Sequence, residues 1–321
     1  MKRIAILTSG GDAPGMNAVI RAAVRTAIAK EFELIGIKRG YAGLIGGEIF
    51  ALSRDEVSNI IGRGGSILES SRSPEFETVD GRKKAADNLR RNKIEGLIIV
   101  GGDGTFRGGA LLVKEGGISI LGVPSTIDND VYGTDFTVGF DTAVSCAVEA
   151  IDRIRDTART FERVFFIEVM GHHTGFIALQ AAVAGGAEGL VIPEVPLEIE
   201  DLCLKLQEGR QSGKKSAIVV VAEAQKPGFS FEIAQEVTRR TGFETRVCVL
   251  GHLQRGGSPT AADRILGSNL GAAAIEALGQ KMTGIIVGVV ENRLTYTPLA
   301  ETYQMKKALS PRLEQLTRIL L

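Results

Sequence analysis

Short, almost uninterrupted apolar runs recur along the chain: Ile4–Leu7, Leu34–Ile37, Leu97–Val100, Ile118–Val123, Val164–Ile167, Ala217–Ala222 and Ile285–Val290. A run that is apolar at nearly every position fits a strand covered on both faces, and amphipathic stretches lie between these runs. The pattern predicts an α/β fold built on a mainly parallel sheet flanked by helices. Met16, Val19, Ile20, Ala23, Val24, Ala27 and Ile28 recur at helical spacing behind the start signals Asp12 and Pro14, so a helix with one buried face is expected there. Arg21 and Arg25, four residues apart, are neighbours on its other face. A second helix is expected near Val144 to Thr160, burying Val144, Ala147, Val148, Ile151 and Ile154. Arg153 lies opposite that face, but Arg155 falls on it near the helix end, where a ligand or a partner subunit can meet it.

Composition narrows the class. The 321 residues hold 40 glycines against 9 prolines, which suits many strand-to-helix turns and close backbone approaches. Lys plus Arg and Asp plus Glu cancel at 38 each, so no global field points to nucleic acid or a membrane surface, and any anionic ligand must be held by local arginines. Cys146, Cys203 and Cys248 are odd in number, widely spaced and set in largely apolar runs, which suggests buried thiols in a reducing compartment. The chain opens directly into a strand without a signal-like apolar core, and no apolar run approaches the roughly 20 residues that span a bilayer. A cytoplasmic location is expected.

In open parallel sheets ligands sit beyond the carboxyl ends of the strands, so the residues after each run are read first. After the first strand, Thr8-Ser-Gly-Gly-Asp-Ala-Pro-Gly15 feeds a helix N-terminus, where backbone N–H groups and the helix dipole favour anions. After the third, Gly101-Gly-Asp-Gly-Thr105 sets one carboxylate among glycines, with Gly108-Gly109 expected to start the following helix. Asp103 suits Mg²⁺, which prefers one or two carboxylates plus phosphate oxygens. This is neither a Walker loop nor a dinucleotide fingerprint. Pro124-Ser-Thr-Ile-Asp-Asn-Asp130 then offers two aspartates for two roles, a base and a metal ligand. Arg72 has the fork geometry for two phosphate oxygens but carries no weight alone. Glu168-Val-Met-Gly-His-His-Thr-Gly175 is expected to open from a strand end into a helix on which the adjacent His172 and His173 diverge, so a shared metal site is not expected. Gly251-His-Leu-Gln-Arg-Gly-Gly-Ser258 reads equally as a sugar-phosphate turn or a plain surface turn.

With these motifs in order, the sequence resembles bacterial ATP-dependent 6-phosphofructokinase along nearly its whole length. Leu7–Asp12, Gly101–Gly104, Thr126–Asp130, Glu168–Gly171 and Gly251–Pro259 carry the resemblance, and their joint spacing is highly specific. It implies two lobes, each a mainly parallel sheet flanked by helices: residues 1–139 with 256–304 for the nucleotide, and 140–255 with 305–321 for the sugar phosphate. It implies transfer from MgATP to the 1-hydroxyl of fructose 6-phosphate, giving fructose 1,6-bisphosphate and ADP. Gly11, Tyr41, Arg72, Ser73, Gly102, Asp103, Gly104, Thr105 and Gly108 would line the ATP site; Asp103 and Asp130 would serve Mg²⁺. Asp128 would be the base, with Thr126, Arg72 and His172 at the reacting phosphoryl group. Ile127, Met170, Gly171 and Glu223 would meet the sugar. His252 and Arg255 would grip its 6-phosphate together with Arg163 and Arg246 of a neighbouring subunit, within a homotetramer.

The sequence departs from that pattern in three respects. Ser125 stands where ATP-using relatives usually carry glycine and pyrophosphate-using ones lysine, whereas Gly104 follows the ATP pattern. His172 replaces an arginine and supplies less charge. Arg21, Arg25, Arg54, Arg155, Gly186, Glu188 and Lys214 match an effector pocket for ADP or phosphoenolpyruvate, but Ser212 and Ser216 replace an arginine and a histidine, so weak or altered allostery is expected. The rival readings are a pyrophosphate-dependent enzyme and a catalytically silent nucleotide sensor. Gly-Gly-Asp-Gly-Thr also marks NAD and lipid kinases, against which the sugar-site motifs argue.

Overall fold

The computed structural model describes residues 2–224 and 226–321. Along the chain run β1 (Arg3–Thr8), α1 (Met16–Ala29), β2 (Glu33–Ile37), α2 (Gly40–Gly46), β3 (Ile49–Ala51), α3 (Val79–Arg91), β4 (Gly96–Gly101), α4 (Asp103–Gly116) and β5 (Ser119–Pro124). There follow α5 (Phe140–Phe161), β6 (Val164–Val169), α6 (Phe176–Ala184), β7 (Gly189–Val191), α7 (Ile199–Gln211), β8 (Ala217–Ala222), α8 (Phe229–Thr241) and β9 (Thr245–Val249). The chain closes with α9 (Ala261–Gly279), β10 (Ile285–Val290), β11 (Arg293–Pro298), α10 (Glu301–Gln304) and α11 (Pro311–Leu320).

The described residues divide into two compact units. The first holds residues 1–127, 131–141 and 255–307; the second holds 128–130, 142–254 and 308–321. The sheet of the first unit has the order β11-β10-β5-β4-β1-β2-β3 and is parallel except at the two edges, where β11 and β3 run antiparallel to their neighbours. Its central strand β4 is buried at every position, because α1 and α9 cover one face while α3 and α4 cover the other. That double cover is what an unbroken apolar run requires. Helices α1 and α9 pack closely, since Gly271 has no Cβ to strike Val19 O, which would lie 2.4 Å away. The second unit has the all-parallel order β7-β8-β6-β9, with α7 and α8 on one face and α6 with α11 on the other.

The apolar pattern overreaches in one place. Ile28, expected in the buried face of α1, is 48 % exposed although Ala27 beside it is fully buried, because at about 100° per residue position 28 has turned away from the stripe that holds Ala23 and Ala27. Strand β9 escaped the pattern because Thr245-Arg-Val-Cys-Val249 is an edge strand that is only partly covered. All three cysteines are free thiols, but only Cys203 is buried as expected; Cys146 and Cys248 are half-buried. Among the described residues no helix is long and apolar enough to cross a membrane.

Candidate active site

In the first unit the chain reverses its winding between β1 and β4. Helix α1 carries it from β1 to β2, and α4 carries it from β4 the other way to β5. The turns beyond these two strands border the switch point where open sheets take ligands, and they are the two glycine turns. Ser9 N donates to Val100 O at 3.0 Å, Thr105 Oγ1 to Ser9 O at 3.0 Å and Ser125 N to Gly101 O at 2.9 Å, which fastens the turns after β1, β4 and β5 to one another.

Helix α4 opens at Asp103, five residues before the Gly108-Gly109 start expected from sequence. The helix begins early because Gly102 is extended and Phe106 N already bonds back to Gly102 O. Asp103 therefore stands in the first turn, at the positive end of the helix dipole. A Cβ on Gly104 would meet no protein atom within 4 Å, so packing does not demand glycine there. A glycine inside a helix costs about 1 kcal/mol against alanine, and one left in open space suits a ligand that approaches the backbone closely. Gly108 is different: its Cβ would lie 2.9 Å from Phe76 and 3.0 Å from Tyr41. Those two rings stack at 3.8 Å. Tyr41 is only 5 % exposed and its hydroxyl donates to Thr105 O at 2.7 Å, so it supports the first turn of α4 from below; burial pushes its phenol pKa up.

Arg72 is exposed on a loop fixed by hydroxyls. Ser70 Oγ donates to Gly10 O at 2.6 Å, Ser71 Oγ to Arg39 O at 2.8 Å, and Ser73 caps the short 3₁₀ turn Pro74–Glu77 by accepting from Phe76 N. Buried Arg82 holds the far side of that turn through Phe76 O and Glu77 O, at 3.1 and 2.7 Å. It also makes a two-bond pair with Glu115 at 2.7 and 2.9 Å, which keeps the Glu115 carboxyl below its usual range. Thr126 faces Gly102, and its carbonyl accepts from Thr137 Oγ1 at 2.6 Å. Ile127 is buried. Ser125 is 1 % exposed, with its Oγ turned inward to Val138 O at 3.3 Å. Arg255 lies over Gly11 and bonds Asp12 O at 3.3 Å.

Among the described residues no group of three or more His, Cys, Asp or Glu side chains could hold a metal unaided. The hard oxygen donors of Asp103, in a glycine-walled first turn, fit a Mg²⁺ that brings phosphate oxygens and water as its remaining ligands.

In the second unit the winding reverses between β6 and β8, because α6 leads from β6 to β7 and α8 leads from β8 to β9 on the opposite face. The turns after β6 and β8 meet there: Glu223 N donates to Val169 O at 2.9 Å, and His172 N donates to Glu223 Oε1 at 3.3 Å. Met170 N donates to the buried Gln254 Oε1 at 2.7 Å. Gly171 has φ 146°, and a Cβ there would lie 2.5 Å from Thr174 O. This forces a turn, so His172 and His173 do not sit on a helix as expected; α6 starts only at Phe176. Their rings are 3.6 Å apart at 61° instead of diverging. Asp128 O accepts from Thr174 Oγ1 at 3.4 Å, and Asn129, between the two aspartates, is buried in the left-handed region with φ 55°. His252 is exposed in the 3₁₀ turn after β9.

Arg163 and Arg246 lie at the other end of this sheet. Arg163 precedes β6 and Arg246 pairs with Phe165, whereas Met170, Gly171, Glu223 and His252 follow the strands' carboxyl ends. Both guanidiniums bind Glu244 Oε1, at 2.9 and 2.5 Å, and hold its carboxyl below the usual range, Arg163 most strongly. A strand of five or six residues puts roughly 15 Å between these groups, so one unit does not join them to His252.

Arg155, Gly186, Glu188 and Lys214 are brought together. Arg155 donates to Gly185 O and Gly186 O at 2.7 and 2.6 Å, and Glu188 Oε1 takes Arg155 at 3.4 Å and Lys214 at 3.7 Å. Ser212 follows α7 and bonds back to Gly209 O, while Ser216 is half-buried beside Glu188 and Lys214 in a cavity wall. In the first unit Arg21 and Arg25 are half-buried on α1 and Arg54 is exposed. Sequence reasoning gave no role to Glu168 or Gln254; a carboxylate closing an apolar strand was the available signal for the first.

The family profile described as Phosphofructokinase matches residues 3–278. The ATP-dependent 6-phosphofructokinase 1 of Thermus thermophilus is 56 % identical over 320 residues, covering 100 % of this chain and 99 % of that one. The ATP-dependent 6-phosphofructokinase of Bacillus subtilis is 49 % identical over 318 residues, 99 % of each. A solved phosphofructokinase from Saccharomyces cerevisiae superposes with a TM-score of 0.91 at 33 % identity, over 98 % of this chain and 47 % of the yeast chain, so this chain spans about half of that one. The chain belongs to the phosphofructokinase family.

Proposed function

We propose that this chain transfers the γ-phosphoryl group of MgATP to the 1-hydroxyl of fructose 6-phosphate. The observation that carries the reading is the first turn of α4, where Asp103 stands at a helix N-terminus and Gly104 leaves the backbone open. Phosphoryl transfer asks the protein for positioning and charge neutralisation, with no side-chain nucleophile. Mg²⁺ would neutralise phosphate charge, held by Asp103 and Asp130. Gly11, Ser73, Gly102, Gly104 and Thr105 would bind the nucleotide in the first unit, with Tyr41 and Gly108 shaping its floor. Arg72 and Thr126 would contact the transferring group, and His172 would add charge only as imidazolium. Asp128 would take the hydroxyl proton. Met170, Gly171 and Glu223 in the second unit would hold the sugar.

His252 and Arg255 would hold the 6-phosphate with Arg163 and Arg246 from a second copy, in a cytoplasmic homotetramer. The position of those two arginines at the far end of their own sheet supports that sharing. Gly104, which follows the ATP pattern and leaves the backbone open, supports ATP as donor. Arg155, Glu188 and Lys214 would bind an anionic effector weakly without charge at Ser212 and Ser216; strong phosphoenolpyruvate inhibition in a fructose 6-phosphate saturation series would refute that part. The test of the main reading is fructose 1,6-bisphosphate formation with Mg²⁺ and either ATP or pyrophosphate. Turnover with ATP alone is expected; turnover with pyrophosphate alone, or with neither, overturns it.

A further inference from the structure

Glu168 is the last but one residue of β6, 1 % exposed, yet its carboxylate faces no basic side chain within ion-pair reach among the described residues. It points at the start of α8. Oε1 accepts from Gly228 N at 2.7 Å, and Oε2 accepts from Ser230 N at 3.0 Å and from Ser230 Oγ at 2.6 Å. Helix α8 has no cap of its own, because Gly228 occupies the N-cap position with φ 88°, so a carboxylate from another element caps it and complements its dipole. The residue after β8 and the N-cap of α8 are consequently tied to consecutive residues of β6. Glu223 N bonds Val169 O, and Gly228 N bonds Glu168. The next residues after Val169 are Met170, Gly171 and His172, and His172 N donates to Glu223 Oε1 at 3.3 Å.

We propose that Glu168 is a positioning residue for the sugar, fixing the start of α8, to which Glu223 is linked through Lys226, so that Glu223 stands at the right distance from Gly171 and His172 to hold fructose 6-phosphate between them. This rests on the reading above that these residues contact the sugar. A cap that served only stability would alter the amount of folded enzyme and leave the sugar's affinity in that fraction intact.

The experiment is steady-state kinetics on the full chain carrying Glu168→Gln or Ser230→Ala, with each substrate varied at saturation of the other and thermal melting run alongside. Glu168→Gln puts an amide N–H against N–H donors, and its fructose 6-phosphate KM is expected to rise about tenfold or more, with the MgATP KM within about twofold and kcat within about threefold. Ser230→Ala keeps the carboxylate and removes one of its three bonds, and a smaller rise of the same KM, about threefold, is expected. An unchanged fructose 6-phosphate KM in a folded Glu168→Gln chain overturns the proposal; if that variant does not fold, an unchanged KM in Ser230→Ala does so. The unsubstituted chain is assayed in parallel. Its failure to turn over fructose 6-phosphate with MgATP overturns the functional reading and this role together, whereas a normal parent with unshifted variants removes only Glu168.

Discussion

The Arg255 guanidinium lies so close over Gly11 that a Cβ on residue 11 would stand 2.1 Å from Nη1. The obstructing atom is the end of a flexible side chain, so Gly11→Ala should move the arginine and leave the backbone in place. Stability is then expected to change by no more than about 0.5 kcal/mol, as for other substitutions at the surface. The fructose 6-phosphate KM should rise about tenfold if Arg255 makes a charge-assisted bond to the sugar phosphate. Melting curves and sugar saturation curves check the two halves separately. An unchanged sugar KM would remove Arg255 from phosphate binding.

The two glycines of α4 make a paired test. Gly108→Ala drives a methyl group into the stacked Tyr41–Phe76 pair and should cost about 1–3 kcal/mol through overpacking, more than the helix propensity gained. Gly104→Ala meets nothing within 4 Å and should stabilise the ligand-free chain by about 0.5–1 kcal/mol. The same methyl should weaken MgATP binding, since it occupies the space left for the phosphates. Denaturant titration and nucleotide calorimetry should therefore move in opposite directions for Gly104→Ala, and a Gly104→Ala chain that binds MgATP normally would show that this space is not used.

Much of this was legible because short unbroken apolar runs such as Leu97–Val100 and Ala217–Ala222 fit strands covered on both faces, and the chemistry of a parallel sheet lies just beyond them. What escaped depends on groups distant in sequence. Nothing near Gly102 announces that α4 starts at Asp103, because the first turn is supported by Tyr41, whose hydroxyl reaches Thr105 from 64 residues away. The turn at Gly171 replaced the expected helix start because Thr174 O fills the space a side chain would need. Edge strand β9, with Arg246 on it, has no two-sided cover and leaves no run to read. Glu168 looked like a strand terminus and proved to be the cap of a helix that begins some sixty residues later.

Arg82 and Glu115 predict an acid-dependent loss of stability. Arg82 is buried, and its pairing depresses the Glu115 carboxyl, so the folded chain keeps that group charged at pH values where the unfolded chain protonates it. The contribution is therefore complete above the ordinary glutamate range, about pH 4.3, and fades as the pH falls below it through the lowered folded value. Glu115 itself is partly exposed and screened, so Glu115→Gln should lose about 1–2 kcal/mol at neutral pH, toward the low end for breaking such a pair. The gap between parent and variant in denaturant titrations should narrow toward pH 3. A gap that stays constant with pH would assign the effect to shape and packing, with no part for the charge.

Asp128 provides the strictest test of the proposed chemistry. Its carbonyl is fixed by Thr174 Oγ1, and the buried, left-handed Asn129 follows it, so the backbone that carries the carboxylate is set by groups that an amide substitution leaves untouched. Asp128→Asn keeps size and shape but removes the capacity to take a proton at neutral pH. Turnover should fall by about 10²–10⁴-fold, the usual worth of a positioned general base. Nucleotide affinity should stay within about twofold, because the substitution takes away no group that binds the nucleotide in the ground state. Calorimetry with a non-hydrolysable ATP analogue and single-turnover quench measurements separate these effects. Near-normal turnover would remove Asp128 as the base, and a parallel loss of nucleotide affinity would move it from proton transfer to nucleotide binding.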